Sequence, residues 1–316
     1  MIWFLILATF LLVLFVYAFA RMILATTKIF LDLQIQLPYQ EGPDLPGDRV
    51  TFETKDGITL PGQFIKSPTS DGRTVIFAPE FGAELSTYQK YAEQAIAAGY
   101  HLFAFEFRGH GPIHVSEGYI PTHWPTRYEL ADLLGAIGFV RNLKDVDPGK
   151  IALFGVSKGG CIAICAAGTR KDIAAVIADS AFSTRTTAIS YIERWGPIFL
   201  RSELFWRYVP RWFLAGVQVV SMSVSGFLRG CRFISVRDYL KVWPGTPLLL
   251  IHGERDSFIP CEQARELESY VSQGEVETWI VPKARHNESS VVAQEEYRKR
   301  TVAFLDAHME GNVKGK

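Results

Sequence analysis

The chain has 316 residues, 33 Lys plus Arg against 33 Asp plus Glu, 48% apolar residues and 21% charged residues. These values exclude a disordered acidic chain, a collagen-like repeat and a polybasic nucleic-acid binder. The neutral total joins two unlike parts: residues 1–30 hold Arg21 and Lys28, which leaves −2 for everything after residue 30.

Residues 1–20 contain no charged side chain, and the first is Arg21. At ~1.5 Å per residue that run reaches about 30 Å, the thickness of a bilayer's hydrocarbon core. Residues 1–30 are therefore expected to form one N-terminal transmembrane anchor. Ala18-Phe19-Ala20 has the small-residue pattern of a signal-peptide cleavage site, so a signal sequence stays open as an alternative. Against it, no positive n-region precedes the run, which also exceeds the usual h-region length. A soluble core helix is disfavoured because nothing amphipathic interrupts the run. Arg21 and Lys28 lie only on its C-terminal side, which by the positive-inside tendency places the following domain in the cytoplasm.

Residues 31–48 read as a linker, rich in Pro, Gly and acids from residue 36 onward. From residue 49 the pattern alternates. Strands are expected at 49–54 and 58–65 as a hairpin, then at 75–78, 102–107, 151–154, 174–177, 247–251 and 276–281. Helix-length segments lie between them at 85–98, 127–143, 158–169, 262–271 and 290–308. Buried apolar strands alternating with helices imply a mostly parallel sheet covered on both faces, an α/β fold spanning residues 49–316. Cys161 and Cys165 sit four apart on an expected helix and read as small core residues, and neither CxxC nor zinc-type Cys/His spacing is present.

The strongest chemical signal is Gly155-Val156-Ser157-Lys158-Gly159-Gly160, between an expected strand and an expected helix. A G-x-S-x-G turn in that setting lifts a serine hydroxyl above the sheet. Its glycines make room for the strained turn, and the helix N-terminus supplies N–H groups beside the oxygen. Serine is a weak nucleophile near neutral pH, so a neutral imidazole must take its proton and a carboxylate must orient that imidazole.

These residues resemble the alpha/beta-hydrolase superfamily, over essentially all of residues 49–310. The resemblance implies that fold, with an acid after a later strand and a histidine after the last. Asp256, in His252-Gly253-Glu254-Arg255-Asp256-Ser257-Phe258-Ile259-Pro260, matches the acid, and His286 matches the base. Asp179 is a rival acid because it follows an earlier strand, and Glu254 reads as a loop-surface residue. His110, in Arg108-Gly109-His110-Gly111, resembles a loop-shaping turn. The HxxxH pair His110 and His114 lacks a glutamate and a helix, which disfavours metal.

The resemblance further implies an oxyanion hole made from the N–H of Lys158 and one from the loop after the third strand, where Phe81 is the best donor. That loop departs from the family: Pro79-Glu80 replaces the usual His-Gly. A carboxylate there would repel a developing oxyanion, so Glu80 is expected to point away, pair with a cation or serve the substrate. Residues about 183–242 break the α/β rhythm and carry many aromatics interleaved with arginines. In the resembling family an insertion here is a cap, whose aromatics point to an apolar acyl or alcohol group. Within it, residues 214–228 are uncharged but too short to span a bilayer, and read as a cap helix or a segment lying in the membrane surface beside the anchor.

The expected function is a membrane-anchored serine hydrolase acting on a small-molecule carboxylic ester, of apolar or lipid-like character. Ser157, His286 and Asp256 would be catalytic, with no cofactor, no metal and no nucleic-acid partner. A thioesterase, a serine peptidase and a catalytically silent binding module remain as alternatives, and the sequence leaves oligomeric state open.

Overall fold

The structure, a computed structural model, describes residues 1–32, 45–110 and 119–309. Most of the expected linker and His114 lie outside them. Helix α1 (Ile2–Asp32) is the apolar run, continued past Arg21. A hairpin follows, β1 (Asp48–Glu53) and β2 (Thr59–Ile65), then β3 (Thr74–Ala78). The segment expected as one helix at 85–98 is broken at Ala92 (φ −127°) into α2 (Tyr88–Tyr91) and α3 (Glu93–Ala97). Next come β4 (His101–Phe105), α4 (Arg127–Val140), β5 (Ile151–Val156), α5 (Lys158–Gly168) and β6 (Ala175–Asp179). The insertion forms α6 (Thr184–Phe199), α7 (Glu203–Tyr208) and α8 (Arg211–Leu228). The chain closes with α9 (Val236–Leu240), β7 (Gly245–Gly253), α10 (Glu262–Tyr270), β8 (Gly274–Val281), α11 (Ser289–Val292) and α12 (Gln294–Met309). Ala293 (φ −120°) divides the last helical stretch, expected as one helix.

The strands form one eight-stranded sheet in the order β1-β2-β4-β3-β5-β6-β7-β8. β2 runs antiparallel to both β1 and β4, and every later pairing is parallel. Strands β3 to β6 are buried along their whole length, which explains why they read as continuous apolar runs rather than alternating ones. Because successive side chains point to opposite faces, one set serves each layer. Phe77 and Phe154 pack with Tyr91, Tyr297 and Phe304 on one face, while Phe103 meets Phe139 of α4 on the other, ring centroids 5.6 Å apart. Cys161 and Cys165 are fully buried in α5.

The chain separates into two compact units, one holding the sheet and the other holding α1 with residues 185–233. The insertion is thus shorter than the 183–242 expected. Residues 234–242 belong to the sheet unit: the Ile234 N–H donates to Pro125 O at 3.0 Å, Val236 and Leu240 of α9 are buried, and Tyr239 lies against Gly168. Thr184 Oγ1 donates to Ile234 O at 3.0 Å, tying together the points where the insertion leaves and returns. In the second unit, Met22 of α1 shares a buried cluster with Ile192, Phe213, Leu214 and Val217.

Candidate active site

Ser157 stands alone between β5 and α5 with φ 51° and ψ −116°. That left-handed conformation costs a non-glycine residue about 1–3 kcal/mol, and packing on all sides must hold it. The two motif glycines show how. A Cβ on Gly155 would lie 2.3 Å from Gly159 O, and one on Gly159 would lie 2.1 Å from Ala78 O. The backbones of β5, α5 and the loop after β3 therefore touch, as only glycine allows. The Ser157 N–H donates to Asp179 O at 2.7 Å, fixing the turn to the end of β6.

Ser157 Oγ lies 3.1 Å from His286 Nε2, and His286 Nδ1 lies 2.6 Å from Asp256 Oδ2. The loops bearing Asp256 and His286 are laced together: Arg255 N–H donates to Ala284 O at 2.8 Å and Glu254 N–H to Val281 O at 2.9 Å. A Cβ on Gly253 would meet Ala284 O and Arg285 O at 2.6 Å, so this approach again needs glycine. Asp256 Oδ1 accepts the N–H groups of Phe258 and Ile259 at 2.9 and 2.8 Å. Burial opposes ionisation of Asp256, but hydrogen bonds with His252 and His286 and to the backbone outweigh it and hold the carboxyl well below the usual carboxylate range. A carboxylate so held fixes the tautomer of the ring, leaving Nε2 to face the serine hydroxyl. His286 retains 20% side-chain exposure, whereas the Asp256 side chain is sealed.

Asp179, the rival acid, is directed elsewhere. Its carboxylate accepts the Ser180 hydroxyl at 2.9 Å and the Tyr297 hydroxyl at 2.9 Å, and burial pushes its pKa up. Glu254 is exposed and accepts the Lys283 N–H at 3.0 Å. His110 is buried, its Nδ1 3.2 Å from both Phe107 O and Arg108 O. Among the described residues, no group of three or more His, Cys, Asp or Glu is placed to hold a metal ion.

Lys158 is the first residue of α5, so its N–H has no carbonyl partner within the helix. Phe81 is the second residue of a tight turn closed by Ala83 N–H to Glu80 O at 3.2 Å, with Gly82 at φ 76°. That turn bond leaves the Phe81 N–H outside it. Glu80 Oε1 accepts the Tyr91 hydroxyl at 3.1 Å, and Tyr91 in turn receives a hydrogen bond from Lys90 at 2.8 Å. Burial pushes the Glu80 carboxyl upward, which disfavours negative charge on the loop.

Sequence reading missed the Lys158 side chain. Its Nζ is buried and bonds Glu129 Oε1 at 2.7 Å and Thr122 O at 2.8 Å. Glu129 also receives the Thr126 N–H at 3.0 Å in the capping box of α4, and the Tyr119 hydroxyl at 2.5 Å. One carboxylate thus starts a helix and pins the residue that follows Ser157. The Thr126-x-x-Glu129 spacing announces only the first of these roles. The contacts of His252 were also missed: its Nε2 lies 2.8 Å from Ile259 O and 3.3 Å from Asp256 Oδ2, buttressing Asp256 from the strand side.

The comparisons agree with this architecture. Residues 78–304 match the profile of the Alpha/beta hydrolase family. The uncharacterized protein YfhR of Escherichia coli (strain K12) is 28% identical over 273 residues, which cover 84% of this chain and 82% of YfhR. Among solved structures, the Pyrococcus furiosus esterase Pf2001 superposes with a TM-score of 0.64 at 21% identity, covering 88% of this chain and 98% of the esterase. The acylaminoacyl peptidase of Pyrococcus horikoshii gives 0.61 at 19% identity, covering 85% of this chain and 42% of the peptidase. At such identities the two structures speak to the fold alone. With the profile running from the end of β3 into α12 across a sheet of this order, the chain belongs to the alpha/beta hydrolase family.

Proposed function

We propose that the protein is a membrane-anchored serine hydrolase that cleaves carboxylic esters through an acyl-enzyme. The observation that carries this reading is the line Ser157 Oγ, His286 Nε2, His286 Nδ1, Asp256 Oδ2, with separations of 3.1 and 2.6 Å at its two hydrogen bonds. Ser157 Oγ attacks the ester carbonyl while His286 Nε2 takes the hydroxyl proton and passes it to the departing alcohol. Water then enters and gives a proton to the same nitrogen as its oxygen attacks the acyl carbon. The nitrogen returns that proton to Ser157 Oγ as the Ser157–acyl bond breaks, and the carboxylic acid departs. Asp256 orients the ring and stabilises the imidazolium. The N–H groups of Lys158 and Phe81 receive the oxyanion, each such donor contributing about 3 kcal/mol by analogy with other enzymes.

The aromatic-rich insertion and the 31-residue helix α1 support an apolar, lipid-like acyl substrate reached from a membrane. Arg21 and Lys28 support a cytoplasmic catalytic domain. The test is turnover of a p-nitrophenyl ester series of rising acyl length, with a thioester and an amide of the same acyl group alongside. Ester cleavage rising with chain length and abolished by His286→Ala is the expected result. Faster thioester or amide cleavage would move the protein to another class of hydrolase, and no turnover of any member would make it a silent binding module.

A further inference from the structure

Helix α8 lies along α1 in a definite register. Phe15 meets Trp212 and Phe213 at ring-centroid distances of 6.3 and 5.5 Å, Phe19 meets Phe213 at 5.4 Å, and Ser221 Oγ donates to Ile23 O at 3.4 Å. The two helices therefore run in the same direction, and the first turn of α8 is level with Phe15. Phe15 lies six residues before Arg21, the first charge, which is about 9 Å along a helix axis. If Arg21 marks the edge of the hydrocarbon, Trp212 is carried that distance inside it.

The surface at this level suits such a position. Ile198, Leu204, Tyr208 and Trp212 are all exposed, although Phe205, Trp206 and Val209 from the same stretch pack into the buried cluster with Met22. Arg201, Arg207 and Arg211 alternate with the exposed apolar residues, and residues 185–233 as a whole hold seven arginines and two acids, a net charge of +5. Arginine and exposed apolar residues together are what a half-immersed surface requires: the apolar side chains enter the outer acyl region, and the long stems let guanidinium groups reach up to phosphate.

We propose that the corner formed by the end of α6, α7 and the start of α8 is immersed in the leaflet at the C-terminal end of α1 and binds its anionic phospholipid headgroups. The proposal rests on the reading of α1 as a bilayer-spanning helix. The charge excess selects an anionic lipid surface over a protein partner, and the packing of α8 along α1 places that surface at the right level.

The test uses the full chain reconstituted into phosphatidylcholine vesicles, with and without phosphatidylglycerol, and tryptophan quenching by acyl-brominated phospholipids. Trp3 reports on α1 and Trp212 on the corner, each isolated as the difference between the full chain and Trp3→Phe or Trp212→Phe. Both signals should be quenched, that of Trp212 more strongly with phosphatidylglycerol. That extra quenching should be lost in the triple variant Arg201→Gln, Arg207→Gln, Arg211→Gln, whose altered residues are outside the buried cluster. A quenched Trp3 with an unquenched Trp212 would overturn the proposal while leaving the anchor intact, and would give the corner to water, a second copy or another protein. An unquenched Trp3 would overturn the anchor and the proposal together.

Discussion

The ammonium of Lys158 and the carboxylate of Glu129 lie 2.7 Å apart with side chains 1% and 0% exposed, and Lys158 directly follows Ser157. Removing one partner strands a buried charge, so Glu129→Ala should destabilise the protein by about 3–5 kcal/mol. The joint replacement Lys158→Met with Glu129→Leu should recover much of that loss. Thermal unfolding in detergent micelles checks the order. Equal damage from single and joint replacements would show that the pair is not the unit of stability.

Asp256 and Asp179 both sit at strand ends near the site, yet only Asp256 meets His286. Asp256→Asn should lower kcat on a p-nitrophenyl ester by ~10⁴-fold, because the ring loses both its tautomer and its counter-charge. Asp179→Asn should cost far less in kcat, since its neighbours are the hydroxyls of Ser180 and Tyr297. A larger fall for Asp179→Asn would reverse the assignment of the acid.

Gly159 and Gly138 form a matched contrast. A methyl at Gly159 would lie 2.1 Å from Ala78 O and 2.4 Å from Pro79 O, whereas one at Gly138 meets nothing within 4 Å. Gly159→Ala should therefore give protein that is inactive or fails to fold. Gly138→Ala, inside α4, should stabilise by about 0.4–1 kcal/mol. Expression, melting temperature and ester turnover of the two variants decide the matter.

Burial pushes the His110 imidazole down to about 4, and the nearby Lys158 ammonium adds to that. Between pH 6.5 and 4 the unfolded chain binds a proton that the folded chain refuses, so stability should be level above pH 6.5 and fall as pH drops toward 4. The fall attributable to this one group is about 3 kcal/mol. His110→Gln should flatten the melting-temperature profile in that window, and an unchanged slope would remove His110 as its cause.

Much of the candidate site was legible because its residues follow strand ends. Ser157, Asp256 and His286 each follow an apolar run within a few residues, so strand pattern and local motif locate them without knowledge of packing. What escaped depends on pairings across the chain. Glu129 reads as a helix-capping residue, and nothing local says that a lysine 29 residues later will share its carboxylate. Tyr297 on Asp179 spans 118 residues, and the seating of Phe15 against Trp212 fixes a register that no local pattern announces. Insertion bounds were overdrawn at residues 234–242 because that stretch has no strand period, although its apolar residues serve the sheet unit.

In the proposed function Ser157 is an activated nucleophile. The direct measurement is intact-protein and peptide mass spectrometry after treatment with a fluorophosphonate. The expected result is a single phosphonyl adduct on Ser157, absent in Ser157→Ala and much slowed in His286→Ala. An unlabelled wild-type protein, or equal labelling of Ser157→Ala, would show that Ser157 is not the nucleophile.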